Sequence, residues 1–165
     1  MVTATAVTIT LSFSPASYIY PMAEITMLTV ANRAEIQNGN LYGLGMGWNW
    51  TFRPVPPLSL VVRTHVSPSR MSLGDLTWNF VLSDADGAPV DVPLAMNFEY
   101  HAGATLPDGA YPGVDVPLWA IFHFAPIDLP EGRYQWRVTF DDANAEYPFT
   151  VVNPPTQSLT TSQPD

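Results

Sequence analysis

The three histidines are the first side chains to test for chemistry, because imidazole can act as a general base or bind a metal ion. His65, His101 and His123 each fall on the polar face of a predicted strand. No two of them have the H-x-H or H-x-x-x-H spacing that would bring both rings to one ion. No serine lies in a G-x-S-x-G turn, so a catalytic triad has no local motif either. The histidines are therefore interpreted as surface or hydrogen-bonded residues.

The types of basic residue and the absence of cysteine exclude further kinds of catalytic and metal-binding site. The chain contains no cysteine, and all six of its basic residues are arginine. Thiolate nucleophiles and cysteine-ligated zinc are therefore excluded, as are the lysines of Schiff-base enzymes and phosphate-binding P-loops. The sequence predicts a protein that is not an enzyme, with no catalytic residue, no cofactor and no metal site.

Gly43, Gly45 and Gly47 alternate with larger side chains and superficially resemble a glycine-rich phosphate loop. Such a loop needs a helix N-terminus directly after it, and no helix is predicted to follow. The interpretation is structural. Three glycines on one face of a strand would leave a flat strip that a large side chain or another backbone can approach closely.

The sequence Asp84-x-Asp86-Gly87 resembles the beginning of a calcium-binding loop. Positions five and twelve of that loop would be alanines, which carry no side-chain oxygen, so the EF-hand pattern fails. A hairpin turn is the favoured interpretation. A looser ion site that includes Asp91 or Asp108 is left open.

The charge balance bears on possible partners. At pH 7 the chain carries a formal net charge of −9, which opposes binding to nucleic acid and to anionic lipid. Only 13% of the residues are charged, against about 25% in an ordinary globular protein. Much of the surface must therefore consist of uncharged side chains, which points to a protein partner or to self-association.

Apolar and polar residues alternate in one segment after another, and this period of two is typical of β-strands. Inward-facing rows are predicted over residues 58–66, 76–83, 94–100, 118–124 and 134–140. The Asn38-Gly39 dipeptide predicts a hairpin, with one extended stretch from Glu24 to Ile36 before it and a return strand from Asn40 to Phe52 after it. The sequence predicts an all-β fold, an antiparallel β-sandwich of immunoglobulin-like type with about seven to nine strands.

The chain is expected to divide into three parts. Residues 23–152 are the β-sandwich domain, in which residues 103–117 are the longest loop. Residues 1–22 are an N-terminal extension, either an extra edge strand or the result of a misassigned start, because Met22 is a second plausible start. Residues 153–165 are rich in Ser, Thr, Pro and Gln and are predicted to be a disordered tail. Residues 1–21 lack the features of a signal peptide and no apolar span is long enough for a membrane helix, so a soluble, cytoplasmic protein is predicted.

Two stretches of the chain share a pattern with known sequences. The first contains Ala31-Asn32-Arg33-Ala34, Gly39-Asn40-Leu41-Tyr42 and Gly45-Met46-Gly47-Trp48, and the second contains Leu129-Pro130-Glu131-Gly132-Arg133-Tyr134-Gln135-Trp136 and Pro148-Phe149-Thr150-Val151. In these stretches the chain resembles an uncharacterised family of small bacterial, mainly actinobacterial, immunoglobulin-like β-sandwich proteins. The resemblance implies a sandwich over residues 23–152 and implies no activity.

The predicted strand at residues 117–124 is apolar on both faces. Trp119 and Ile121 lie opposite the inward row, and His123 continues their face. A covering loop, the N-terminal strand or a partner chain would each explain the apolar outer face. We therefore predict a non-catalytic interaction or structural module with an interaction face of Trp119, Ile121 and His123.

An alternative prediction is a β-sandwich that binds a small ligand or a carbohydrate. Trp48 and Trp50 share one face of the predicted return strand, and Tyr111 lies in the long loop. Exposed aromatic rings beside Asn or Asp groups are suited to binding sugar rings. These three rings are the candidate ligand platform, and the alternative that they belong to the core stays open at this point.

Overall fold

Eleven strands and one single-turn helix make up the described residues of this computed structural model, which are 7–11, 23–71, 76–92, 98–102 and 114–155. The strands are β1 (Val7–Leu11), β2 (Ala23–Ala31), β3 (Arg33–Gln37), β4 (Asn40–Leu44), β5 (Trp50–Phe52), β6 (Leu58–Val66), β7 (Leu76–Asp84), β8 (Phe98–Ala102), β9 (Val116–Phe124), β10 (Gly132–Phe140) and β11 (Ala143–Val152). The helix α1 spans Pro68–Met71. No helix in these ranges is long and apolar enough to cross a membrane.

The strands form two sheets and a separate hairpin. One sheet has five strands in the order β1-β7-β10-β11-β5, and the other has four in the order β2-β6-β9-β8. Among the described residues, strands β3 and β4 pair only with each other. Neighbouring strands are antiparallel, except that β11 and β5 are parallel. The predicted all-β sandwich of antiparallel sheets is therefore confirmed, with nine strands in its two sheets.

The core lies between the two sheets and is built from the rows of alternating side chains. Strand β7 directs the four side chains predicted for it into this core: Leu76, Trp78, Phe80 and Leu82. Across the layer, the rings of Phe80 and Phe122 have centroids 4.7 Å apart. Trp78 Nε1 also donates a hydrogen bond of 3.1 Å to Thr64 Oγ1 on β6. Ring contacts and this hydrogen bond join the two sheets.

The stretch from Glu24 to Ile36 is not one continuous strand, which corrects the sequence prediction. The chain leaves β2 at Asn32 and enters β3, which pairs with β4. Asn38 and Gly39 have φ angles of 50° and 76°, and these residues adopt such positive values at low cost. The predicted hairpin turn is therefore confirmed, and the β3–β4 hairpin packs on the outer face of the four-stranded sheet.

The predicted return strand is also interrupted. Strand β4 ends at Leu44, and β5 begins at Trp50 in a different sheet. Between them, Gly45 and Gly47 have φ angles of +60° and +77°, which favour glycine. The prediction of three glycines on one strand face is therefore wrong, because only Gly43 lies in a strand. The other two allow the chain to turn from the hairpin toward the five-stranded sheet.

Strand β1 forms an edge of the five-stranded sheet, with Val7 opposite Phe80 and Leu11 opposite Leu76. Several sequence predictions lie outside the described residues. They are the second start at Met22, the inward residues Leu94 and Met96, the loop before residue 114 and the tail after residue 155.

Candidate functional site

The predicted interaction face is largely covered by the chain itself. Ile121 is fully buried and packs with Ala31, Ala34 and Val61 in a second, small core between the four-stranded sheet and the β3–β4 hairpin. Trp119 is half-buried and packs against the same cluster. Ile121 is therefore not exposed, and the prediction is wrong for this residue because the hairpin folds over β9.

Trp119 and His123 also have partners within the chain. The guanidinium carbon of Arg63 lies 5.2 Å from the centroid of the Trp119 ring, which is a cation–π contact. His123 Nδ1 lies 2.9 Å from Ser59 Oγ. The same hydroxyl oxygen accepts a hydrogen bond of 3.2 Å from the backbone N–H of Ala34 in the hairpin. Ser59 therefore connects the hairpin to β9.

Replacing Ser59 by alanine is expected to lower the free energy of unfolding by about 1–2 kcal/mol. Ser59 is 1% exposed, so the substitution deprives the Ala34 N–H of its acceptor where water does not reach. Thr26→Ala is the matched control, since Thr26 lies on the neighbouring β2 and is exposed; a change below about 0.5 kcal/mol is expected there. Urea titration followed by circular dichroism measures both variants. Equal losses would show that Ser59 does not anchor the hairpin.

The rings of the predicted ligand platform have different environments. Trp48 precedes β5 and is half-buried, with its ring edge-to-face on Phe149 at a centroid distance of 5.7 Å. Its backbone oxygen accepts a hydrogen bond of 2.9 Å from the Tyr147 hydroxyl, and burial raises the pKa of that phenol. Trp50 lies within β5 and is 54% exposed. The two tryptophans therefore do not share one strand, and Tyr111 lies outside the described residues.

Exposed apolar side chains cluster around β5. Met46, Trp50 and Phe52 are 38%, 54% and 44% exposed, and the rings of Trp50 and Phe52 meet edge-to-face with centroids 5.3 Å apart. A groove of about 370 Å³ runs beside them, and its other lining residues are Asn32, Gly45, Trp48, Thr51 and Pro56. None of these lining residues is charged. We call Met46, Trp50, Phe52 and the unpaired side of β5 the β5 edge surface.

One side of the β5 backbone has no neighbouring strand among the described residues, because β5 is the last strand of its sheet. Asn49 O and Arg53 N each form a hydrogen bond of 2.9 Å to β11. Backbone groups of successive strand residues point to opposite sides. Trp50 and Phe52 therefore direct their N–H and C=O groups to the unpaired side. The Phe52 carbonyl accepts a long hydrogen bond of 3.5 Å from Thr51 Oγ1 and keeps a second lone pair for an added strand.

Charges next to the β5 edge surface neutralise each other. Arg53 Nε donates to Asp128 Oδ1 at 2.7 Å, and Arg53 Nη2 donates to Asp128 Oδ2 at 3.2 Å. These hydrogen bonds and the charge of Arg53 hold the pKa of Asp128 below its usual value of 3.8. Asp128 therefore stays ionised at neutral pH and balances the arginine at this end of β5.

The carboxylate of Asp84 stabilises the turn that begins at this residue. Asp84 Oδ1 accepts hydrogen bonds from the backbone N–H groups of Asp86 and Ala88, at 3.0 and 2.9 Å. This is the local hydrogen bonding of an aspartate-initiated turn. Within the described ranges, no group of three or more His, Cys, Asp or Glu side chains could hold a metal ion. Asp108, part of the looser ion site considered above, lies outside those ranges.

Two residues of the β5 edge surface were not singled out from the sequence. Phe52 lies two positions after Trp50 on the same strand, so the period of two already places both rings on one face. The exposure of Met46 had no such signal. It depends on the turn that Gly45 and Gly47 form with positive φ, and this turn interrupts the alternation.

No protein-family model matches the chain, and comparisons with curated proteins and with solved structures find no significant similarity. The proposals below therefore depend on the geometry and chemistry of the β5 edge surface.

Proposed function

We propose that this protein is a non-catalytic binding module that takes an extended polypeptide strand on the β5 edge surface. The observation that carries the proposal concerns an edge strand with no neighbouring strand on one side among the described residues. The residues that direct their backbone groups to that side, Trp50 and Phe52, also carry the exposed aromatic rings. An added strand would hydrogen-bond to this backbone, and its alternate side chains would contact the two rings.

The composition of the groove supports a polypeptide as the ligand. Aromatic residues and methionine are enriched in protein interfaces, whereas charged residues are depleted at the interface centre. Met46, Trp50 and Phe52 fit this composition, and the lining residues of the groove offer no acidic or basic side chain. The surface is therefore suited to holding a partner rather than to moving protons on a substrate.

A small-ligand or carbohydrate site is the second candidate. Asn32 lines the same groove as Trp48 and Trp50, which puts an amide beside aromatic rings as a sugar site requires. The planes of Trp50 and Phe52 are nearly perpendicular, at 86°, so these two rings do not form one flat platform for a sugar ring. A polypeptide strand would contact the two rings with side chains at alternate positions, so it does not require the rings to be coplanar.

Selection from a displayed library of random peptides tests the proposal. We expect the immobilised protein to enrich peptides with apolar residues at alternate positions. Purified peptides should lose at least about tenfold in affinity, or about 1.4 kcal/mol, on the Trp50→Ala/Phe52→Ala variant. Leu44→Ala is the matched control, since Leu44 is 71% exposed on the hairpin and should leave affinity unchanged.

Two outcomes would contradict the proposal. Peptides that bind the Trp50→Ala/Phe52→Ala variant as tightly as the parent protein would place binding elsewhere. Failure to enrich any peptide, together with binding of oligosaccharides on a glycan array that the same variant abolishes, would favour the second candidate.

A further inference from the structure

We infer that the strand bound at the β5 edge surface is β5 of a second copy of this chain, paired antiparallel about a two-fold axis at Thr51. The inference rests on the proposed function and names its partner. It would join the two five-stranded sheets, through their β5 edges, into one continuous sheet. Residues directly opposite each other would then be Thr51 with Thr51 of the other copy, and Trp50 with Phe52 of the other copy.

The backbone of β5 suits this register. Trp50 and Phe52 direct their backbone groups to the unpaired side, so Trp50 of one copy and Phe52 of the other would exchange two N–H···O=C bonds. The two-fold axis repeats this exchange, giving four bonds in all. Thr51 directs its backbone groups to β11 and would form the close, non-hydrogen-bonded pair on the axis. A threonine pair is favourable at such a cross-strand position.

The side chains are complementary to themselves in the same register. Trp50 and Phe52 lie on one face of β5, because they are two residues apart in a strand and their rings are in contact. The two-fold axis sets each tryptophan against the phenylalanine of the other copy, so four rings meet on one face of the joined sheet. Aromatic cross-strand pairs stabilise sheets.

The exposed area is enough for a reversible dimer. Taking 150–250 Å² for a fully exposed aromatic side chain, Met46, Trp50 and Phe52 together expose roughly 300 Å². With exposed neighbours such as Asn49 and Pro56, the surface reaches roughly 500 Å² per copy, or roughly 1,000 Å² in the pair, which is the lower limit for specific interfaces. We therefore expect a dimer that dissociates on dilution.

The net charge of −9 per copy opposes dimerisation from a distance but does not act at the interface. The described lining residues of the groove are uncharged, and Arg53 is paired with Asp128. Charges farther away are screened over a Debye length of about 8 Å at physiological salt. Added salt is therefore expected to strengthen this dimer, whereas it would weaken the binding of a basic partner.

A single introduced thiol tests the register, because the chain has no cysteine of its own. The predicted Cα separation at the Thr51 pair, about 4.5 Å, lies within disulfide range. Under mild oxidation, Thr51→Cys should form disulfide-linked dimers at least about tenfold faster than Leu44→Cys, although Leu44 is the more exposed position. Equal rates for the two variants would overturn the inference.

Sedimentation equilibrium with paired variants provides the second test. Trp50→Asp and Phe52→Lys should each raise the dimer dissociation constant at least about tenfold, and mixing the two should restore association, because the new carboxylate and ammonium groups face each other. A parent protein that is monomeric at near-millimolar concentration in high salt would overturn the inference. Peptide binding by that monomer would leave the proposed function intact and remove only the second copy as the bound strand, whereas a dimer that selects no peptide would restrict the β5 edge surface to a second copy of this chain.

Discussion

Replacement of Trp78 by alanine should lower the free energy of unfolding by about 3–5 kcal/mol, because the substitution removes a large side chain from the interior and leaves a cavity. Trp78 is fully buried, and its ring centroid lies 4.7 Å from that of Phe140. The loss would also deprive the buried Thr64 hydroxyl of the indole donor that reaches it from the opposite sheet.

The matched control for this change is Trp50→Ala, since Trp50 has the same side chain at a position that is 54% exposed. A clearly smaller loss of about 1 kcal/mol is expected for the control when the protein is dilute enough to be monomeric. The loss for Trp78→Phe should fall between those of the two alanine variants, because phenylalanine keeps an aromatic ring in the core but lacks the indole N–H that donates to Thr64. Urea titration followed by far-ultraviolet circular dichroism measures all three. Similar losses for Trp78→Ala and Trp50→Ala would contradict the assignment of Trp78 to the core.

Ile121→Asp should lower the free energy of unfolding by about 3 kcal/mol, because it places a carboxylate in a space that the β3–β4 hairpin closes to water. Ile121 is fully buried under that hairpin together with Ala34. The least costly response is for the hairpin to lift from β9. Amide hydrogen exchange in β3 and β4 is therefore expected to accelerate more than exchange in β7 and β10.

Leu44→Asp is the control, because Leu44 belongs to the same hairpin and is 71% exposed. Its effect on the free energy of unfolding should stay within about 0.5 kcal/mol. If Ile121→Asp proved as harmless as Leu44→Asp, the outer face of β9 would be open to solvent. The outer face of β9 would then be available as the interaction face that the sequence predicted.

Alternation of side chains was sufficient to predict the interior of the sandwich. Trp78 and Phe80 are two residues apart in the sequence. In an extended strand such residues lie on the same face, so both can be buried together. The same pattern predicted that Trp119 and Ile121 would need a cover. It could not identify the cover, because periodicity assigns a residue to a face and contains no information about which distant segment packs there.

The hairpin and the β5 edge surface depended on backbone details that the pattern does not contain. A period of two continues across Asn32, although the chain leaves the four-stranded sheet there. Positive φ at Gly45 and Gly47 separates Leu44 from Trp50 and assigns them to different sheets. The glycines were visible in the sequence, but glycine tolerates positive and negative φ alike, so its presence does not predict which conformation the chain adopts.

The parallel pairing of β5 with β11 also sets an order for folding on the ribosome. Trp50 pairs with Thr150, 100 positions later in the chain, and contacts between such distant residues close slowly. The β3–β4 hairpin can form as soon as it leaves the ribosomal exit tunnel, whereas β5 has no partner in its own sheet until β11 has been synthesised. Strand β5 therefore lacks its sheet neighbour while residues 53–142 are synthesised, and the nascent chain exposes the rings of Trp50 and Phe52 throughout that interval.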